Sequence, residues 1–356
     1  MQLFKVLPAV VLLLSCVQPA LAQDGASAVT EMFSSIPLDA VEPDRLFEVQ
    51  YGNPESGALA LLSATDDPKA ARLYGTGRGL PPEIAELLLM QMKGAKALVG
   101  FDMTDIRESA AVTQQGLLIT LYRFDPDIRD VVGPALDSLG YDRDDRSGMP
   151  IWARGADFAF DLANGNVANP FGGRLGRWGR VAVDRNVVAW SPAWAPIEAF
   201  AAGRTGMALH PQIAALIDVL DKPLEGNGVL IGARFMIDPN LRTGSPAVMT
   251  ADMASGGDDM ALLAVVMPPE HTAGDLSELV EWNWHNVPMR SVKGPDTFAD
   301  HFGGAVEFSV IANSIPVLLI QITSQREDGV VNSSFMRAHN LVQMGDLEIL
   351  LAPREP

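Results

Sequence analysis

GLLITLYRFDPDIRDVVGPALDSLGYDRDDRSGMPIW, residues Gly116–Trp152, carries three elements in succession. Gly116–Arg123 reads as a strand, because Leu117–Tyr122 joins bulky apolar, β-branched and aromatic residues with one polar position. Asp125-Pro126 then opens a helix over 127–139: the carboxylate accepts from an orphan amide, and proline suits the first helical position. Ile128, Val131, Val132, Ala135, Leu136 and Leu139 share one face of it, and Gly140 ends it. Pro134 withholds a backbone donor, which predicts a bend beside Gly133. Gly148–Arg154 returns as a strand.

Downstream, Ala156–Leu162 reads as a further strand. Val181–Val183 and Val187–Trp190 flank Asp184-Arg185-Asn186, the dress of a hairpin. Ser191-Pro192 opens a short helix and His210-Pro211 another, with Ile213, Leu216, Ile217 and Leu220 on one stripe. Gly228–Ile237 closes the unit as a strand. Strand, helix, strand, strand, helix, strand is the order of a ferredoxin-like, split βαβ unit. Asp238–Gly257, rich in Pro, Gly, Ser and Asp, reads as a linker. Strands at Met260–Met267, Ala305–Ile311, Ile315–Thr323 and Asp346–Leu351, with helices at Ala273–His285 and Ser334–Val342, then repeat the order.

Upstream, Leu46–Tyr51 alternates like a strand, and Pro54–Leu73 reads as a helix broken by Tyr74-Gly75-Thr76-Gly77-Arg78-Gly79. Ile84, Leu87, Leu88 and Met92 make one stripe of a helix after Pro81-Pro82, and Thr104–Ala111 reads as a short helix. The expected fold is α+β: two tandem ferredoxin-like modules, 113–238 and 259–356, joined by a linker at 239–258. A mainly helical extension, 23–112, precedes them.

The first 22 residues form an export leader: Lys5, the short apolar run Val6–Leu14, and small residues at Ala20-Leu21-Ala22 before the cleavage point. Nine apolar residues are too few to span a bilayer, and no later run reaches eighteen. The only cysteine, Cys16, lies within this leader, so cleavage after Ala22 leaves no thiol for a disulfide or a nucleophile. Leu13-Leu14-Ser15-Cys16 also resembles an imperfect lipoprotein signal, with Cys16 as the acylated residue in that alternative. Either route places the protein in the periplasm or outside the cell. The 44 acidic against 26 basic residues give a charge of −18, which repels nucleic acid and anionic lipid and leaves room for a cationic partner.

Motifs for chemistry are sparse. Gly75-Thr76-Gly77-Arg78-Gly79 has the wrong spacing for a dinucleotide loop and follows a helix rather than a strand. Asp142-Arg143-Asp144-Asp145-Arg146-Ser147-Gly148 brings two arginines to any cation and lacks a closing Glu, so it is a poor calcium loop. No two of the five histidines have the four-residue spacing of a helical metal pair. Glu281 and His285 do lie four apart on a helix, and with Asp300 and His301 they are the candidates for a hydrolytic or metal-assisted site. The densest unusual stretch is Phe171–Arg180, where four glycines, three arginines and a tryptophan fall in ten residues of an acidic chain. Arg174, Arg177, Trp178 and Arg180 are candidates to hold a carboxylate or phosphate and stack on a flat group, and Trp282 is a candidate contact for another protein. The expectation is a non-enzymatic exported protein, without cofactor or metal, that binds a protein or a small anionic ligand. The alternatives are a periplasmic enzyme at Glu281/His285 and a structural cell-envelope protein.

Overall fold

The computed structural model describes residues 25–62, 67–81, 85, 94–145, 148–173, 176–224, 228–241, 244–267, 273–292, 294, 296–326 and 331–353. The leader and the stripe at 84–92 lie outside the described residues, apart from Ala85. In chain order the strands are β1 (Phe47–Gly52), β2 (Glu108–Gln114), β3 (Leu117–Arg123), β4 (Asp142–Asp144), β5 (Ile151–Ala153), β6 (Arg180–Asp184), β7 (Val187–Ser191), β8 (Gly228–Ile237), β9 (Ala247–Ser255), β10 (Asp258–Val266), β11 (Ala305–Ile311) and β12 (Val317–Gln325). The α-helices are α1 (Gly25–Ser34), α2 (Pro54–Leu62), α3 (Pro68–Arg78), α4 (Ala95–Val99), α5 (Arg129–Ser138), α6 (Trp194–Ala201), α7 (Pro211–Ile217), α8 (Ala273–Asn286), α9 (Phe298–Phe302), α10 (Ser333–Gln343) and α11 (Asp346–Leu350). No described helix is long and apolar enough to cross a membrane.

These strands form one 12-stranded sheet in the order β11-β12-β10-β9-β8-β1-β2-β3-β7-β6-β5-β4. Every described ladder in it is antiparallel. The fold is therefore a mixed α/β fold on an antiparallel sheet. Its pairing departs from that of split βαβ modules, which bring parallel strands together across a helical crossover. The repeat that does exist is different: a three-strand meander, a helix, a hairpin and a helix. It runs β1-β2-β3, α5, β6-β7, α6 in one wing, with α2, α3 and α4 inserted between β1 and β2 and with β4 and β5 added outside, and β8-β9-β10, α8, β11-β12, α10 in the other, with α9 inserted before β11. The wings meet where β1 pairs with β8, from Phe47↔Ile237 to Gly52↔Gly232.

Several expectations change with this pairing. The described part of 23–112 carries four α-helices as expected, but it is no extension outside the sheet, since β1 and β2 lie at the centre of the sheet. Thr104–Ala111 gives a short 3-10 turn at Met103–Asp105 and then β2, whose Ala and Ser residues are held extended by β1 and β3 on either side. Residues 239–258 contain β9, a buried strand bonded to both β8 and β10, so no domain boundary falls there. Asp346–Leu351 forms α11 instead of a strand, with Leu347 and Leu350 packed into the core. Ala156–Leu162 has only an isolated bridge, Phe160↔Arg177. Helix α3 continues through Gly75, Thr76 and Gly77 to Arg78 because α2 presses on it: a Cβ on Gly75 would sit 2.3 Å from the Ala58 backbone. Glycine there permits the close approach of two helices and does not interrupt one.

Period-two patterning covers both faces of the sheet. Met260, Leu262, Ala264 and Val266 of β10 join one continuous core with Phe33 of α1 and Leu216 of α7. Ala261, Leu263 and Val265 face a second core around Trp284 of α8 and Phe298 and Phe302 of α9. A third core, under α5, gathers Val132, Leu136, Trp152, Tyr122 and Trp190.

Besides these cores a small apolar cluster of Ala60, Ile231 and Ala254 packs on the sheet, and a buried polar network accompanies it. Arg78 donates from Nε to Asp252 Oδ2 at 2.8 Å and from Nη2 to Asp252 Oδ1 at 2.7 Å and Asp259 Oδ1 at 3.0 Å. Arg326 donates to Asp259 at 2.9 Å, and Asn332 to Asp252 at 2.8 Å. All four charged side chains are buried, so two cations balance two anions out of water. Nearby, Arg234 Nη1 donates to His339 Nε2 at 2.6 Å. Since arginine cannot accept, this nitrogen carries a lone pair and the ring is neutral. Burial, then the Arg234 charge, lowers the His339 pKa to about 4.

Two outcomes follow for stability. Arg78→Ala leaves two buried carboxylates short of a partner and costs about 3–5 kcal/mol, read as a lowered urea midpoint. For His339 the folded pKa of about 4 lies below the ordinary 6.5, so between these values the unfolded chain binds more protons. The contribution is full above 6.5 and is lost as the pH falls toward 4. Urea unfolding at about pH 7 and about pH 4.5 should show His339→Gln losing less stability than the parent over that interval.

Candidate functional site

The densest unusual stretch of the sequence does line a cleft. Arg177 and Trp178 face Arg154, Tyr141 and the loop residues Asp161 and Asn169 around a space of about 230 Å³. Two adjoining loops build its wall. Asp161 N donates to Gly176 O at 2.9 Å, Trp178 N to Ala159 O at 2.9 Å, and Asn166 N to Gly173 O at 2.7 Å. The loops approach so closely that a Cβ on Gly176, which has φ of 59°, would lie 2.0 Å from Asp161 O. The glycines thus serve the packing of loop on loop. Side-chain carboxylate and amide oxygens finish the frame: Asp161 Oδ1 accepts from Ala163 N, Asn166 Oδ1 from Ala168 N, and Asn169 Oδ1 from Phe171 N.

The four candidates in this stretch separate by role. Arg174 lies outside the described residues. Arg180 is 1% exposed and holds the frame from inside: its guanidinium donates to the carbonyls of Gly155, Ala156 and Pro192 and pairs with Asp157 at 2.7 Å. It also lies over the Trp194 ring at 5.2 Å. Arg177 is exposed, and none of the described hydrogen bonds or ion pairs engages its guanidinium. Trp178 is half-buried against Gly155, whose φ of 69° and missing Cβ leave room for the indole.

Across the cleft, Arg154 Nη1 donates to Leu139 O at 3.2 Å, which fixes its side chain while leaving other donors of the fork. Burial raises the Tyr141 pKa, opposed by its hydrogen bond with Asn169 and by the Arg154 charge. Tyr141 is therefore a neutral hydroxyl at physiological pH. Among the described residues of the wall, two arginines stand against one aspartate, in a chain with 44 acidic residues.

Beside the cleft runs a feature that the sequence reading missed as a site. Phe158, Phe160 and Leu162 are 53%, 63% and 66% exposed, large apolar side chains left in solvent. Phe158 also has φ of 58°, strained for a bulky side chain. The alternation of Phe158, Phe160 and Leu162 has the pattern of a strand, but the segment forms only an isolated bridge and leaves all three side chains exposed.

The remaining candidates lie on the other wing. Glu281, Trp282 and His285 are exposed on α8, while Trp284 on the same helix is buried. Asp300 caps α9, accepting from Thr297 N at 3.0 Å and Thr297 Oγ1 at 2.8 Å, and these bonds lower its pKa. His301 is half-buried with its ring edge-on to Phe302, and burial followed by the Arg337 charge lowers its pKa. Among the described residues no three or more His, Cys, Asp or Glu side chains are placed to hold a metal ion. The cleft wall contains no residue of α8, so Trp282 and the glycine–arginine loop do not share it.

No family model and no curated protein matches this sequence. Among solved structures it is similar to crystal forms I, III and IV of TP0453, at 7%, 7% and 6% identity. The alignments cover 90%, 81% and 90% of this chain and 98%, 94% and 99% of those chains, with TM-scores of 0.37, 0.34 and 0.36. At that level the likeness defines neither fold nor function.

The two arginines of this loop should respond oppositely to removal. Arg180→Met removes the donor to three carbonyls, of which that of Pro192 is buried, and to Asp157, and costs about 1–3 kcal/mol in urea unfolding. Arg177→Ala, at an exposed position, should shift stability by no more than about 0.5 kcal/mol.

Proposed function

We propose that this is an exported protein that binds a small anionic ligand without transforming it, using the cleft of Arg154, Arg177 and Trp178. The observation that carries the reading is an exposed guanidinium with no described partner beside an indole face, in a net-acidic chain. Arginine matches a carboxylate or phosphate with a planar fork, and tryptophan adds a flat apolar surface. A space of about 230 Å³ suits a ligand smaller than a drug-sized molecule. Export, with the leader removed after Ala22, supports a ligand met outside the cytoplasm.

The ligand class follows from the wall: one anionic group for the two arginines, and a ring or short apolar body for Trp178, Tyr141 and Leu98. Benzoate and phenyl phosphate are direct probes, and benzamide is the uncharged control. Calorimetric titration should find the anions bound at least about tenfold more tightly than benzamide, a preference that Arg177→Ala abolishes without unfolding the protein. Equal affinity for benzoate and benzamide, or an unchanged preference in Arg177→Ala, would remove the assignment.

A further inference from the structure

The two margins of the sheet are built differently. At one margin lies β4, three charged residues long (Asp142, Arg143, Asp144), with Arg143 also paired to Asp145 at 3.0 Å. Short, charged edges of this kind resist pairing with another chain. The other margin is β11, seven residues long, with the sequence Ala305-Val306-Glu307-Phe308-Ser309-Val310-Ile311. It pairs with β12 along its whole length, and no described segment pairs with its outer side. It contains no proline, no lysine and a single charge, Glu307. None of the usual devices for blunting an edge is present in it, so its outward amides and carbonyls form a template for another strand.

The sequence of β11 indicates which strand fits. Two copies placed antiparallel about a two-fold axis through Phe308 bring all seven residues into register: Ala305 opposite Ile311, Val306 opposite Val310, Glu307 opposite Ser309, and Phe308 opposite itself. Val306, Phe308 and Val310 then extend one apolar row across both copies, continuous with the core beneath, where Phe308 lies 5.7 Å from Trp284. Glu307 and Ser309 are exposed on the opposite face, and this register sets each carboxylate against a hydroxyl instead of its own copy. An isologous contact needs such self-complementarity. We propose that β11 is the interface through which two copies of this chain form a two-fold dimer, with one antiparallel sheet running through both.

The register makes a test by charge exchange at exposed positions. Ser309→Glu sets like charges together twice per dimer, and Ser309→Lys sets opposite charges together twice. Sedimentation velocity over about 1–200 µM should give dimer for the parent, a dissociation constant raised about tenfold or more by S309E, and one lowered by S309K. Combining E307K with S309E makes opposite-sign pairs of reversed polarity and should reverse the loss, bringing the constant below that of the parent as S309K does. These differences should shrink in about 1 M salt. A parent that stays monomeric throughout overturns the proposal. So does a dimer whose constant ignores all three charge changes, since the contact would then lie elsewhere.

Discussion

Backbone pairing of β1 with β8 is the constraint on which the rest of the molecule depends. It joins Phe47–Gly52 to residues 232–237 by an antiparallel ladder and turns two five-stranded patterns into one sheet. A strand in the middle of a sheet has partners on both sides, so neither wing can satisfy this seam alone. The side chains reinforce it. Phe47, Val49, Tyr51, Phe235 and Ile237 enter the core that runs under both wings, closed from below by α1 and α7. On the reverse face the seam is polar, and Arg78, carried on α3 between β1 and β2, reaches Asp252 and Asp259 of the other wing. A buried charge is tolerated there only because its counter-charges are placed by the sheet itself.

The same organisation separates the two surfaces given roles here. The loop cleft belongs to the wing of β5 and β6, and the free strand β11 is the margin of the opposite wing. The proposed ligand site at one end and the proposed pairing edge at the other therefore do not compete for surface. The cleft's frame is set by Arg180, which is spent on three carbonyls and Asp157, while Arg177 is exposed at the wall.

How much of this was legible depended on how local the signal was. Strand β3, the hairpin at Asp184-Arg185-Asn186, and the elements β8, β10, α8, β11, β12 and α10 were readable, because their periodicity is complete within each segment. Strands β2 and β9 were not: Glu-Ser-Ala-Ala-Val-Thr has no strong strand preference, and β9 carries Thr250 and Asp252 on its other face. Their extended state comes from neighbours on both sides, which local propensity does not contain. Asp252 reads as a linker residue until Arg78 and Asn332, both remote in sequence, are seen to satisfy it. At the site, composition singled out the glycine–arginine stretch but could not distinguish Arg180, buried as a strut, from Arg177, facing solvent. The exposed Phe158 and Phe160 were concealed by their own alternation, since a strand pattern says nothing of whether a core lies opposite.

Native-state hydrogen exchange addresses the central constraint directly. If β1–β8 unites the wings, amides of β3 in one wing and β10 in the other should exchange only through the same global opening, with one free energy and one denaturant dependence. The β1 and β8 amides should share it. A lower-energy opening that releases β8, β9, β10 and β12 together while β1, β2 and β3 stay protected would show two independent bodies and contradict the account.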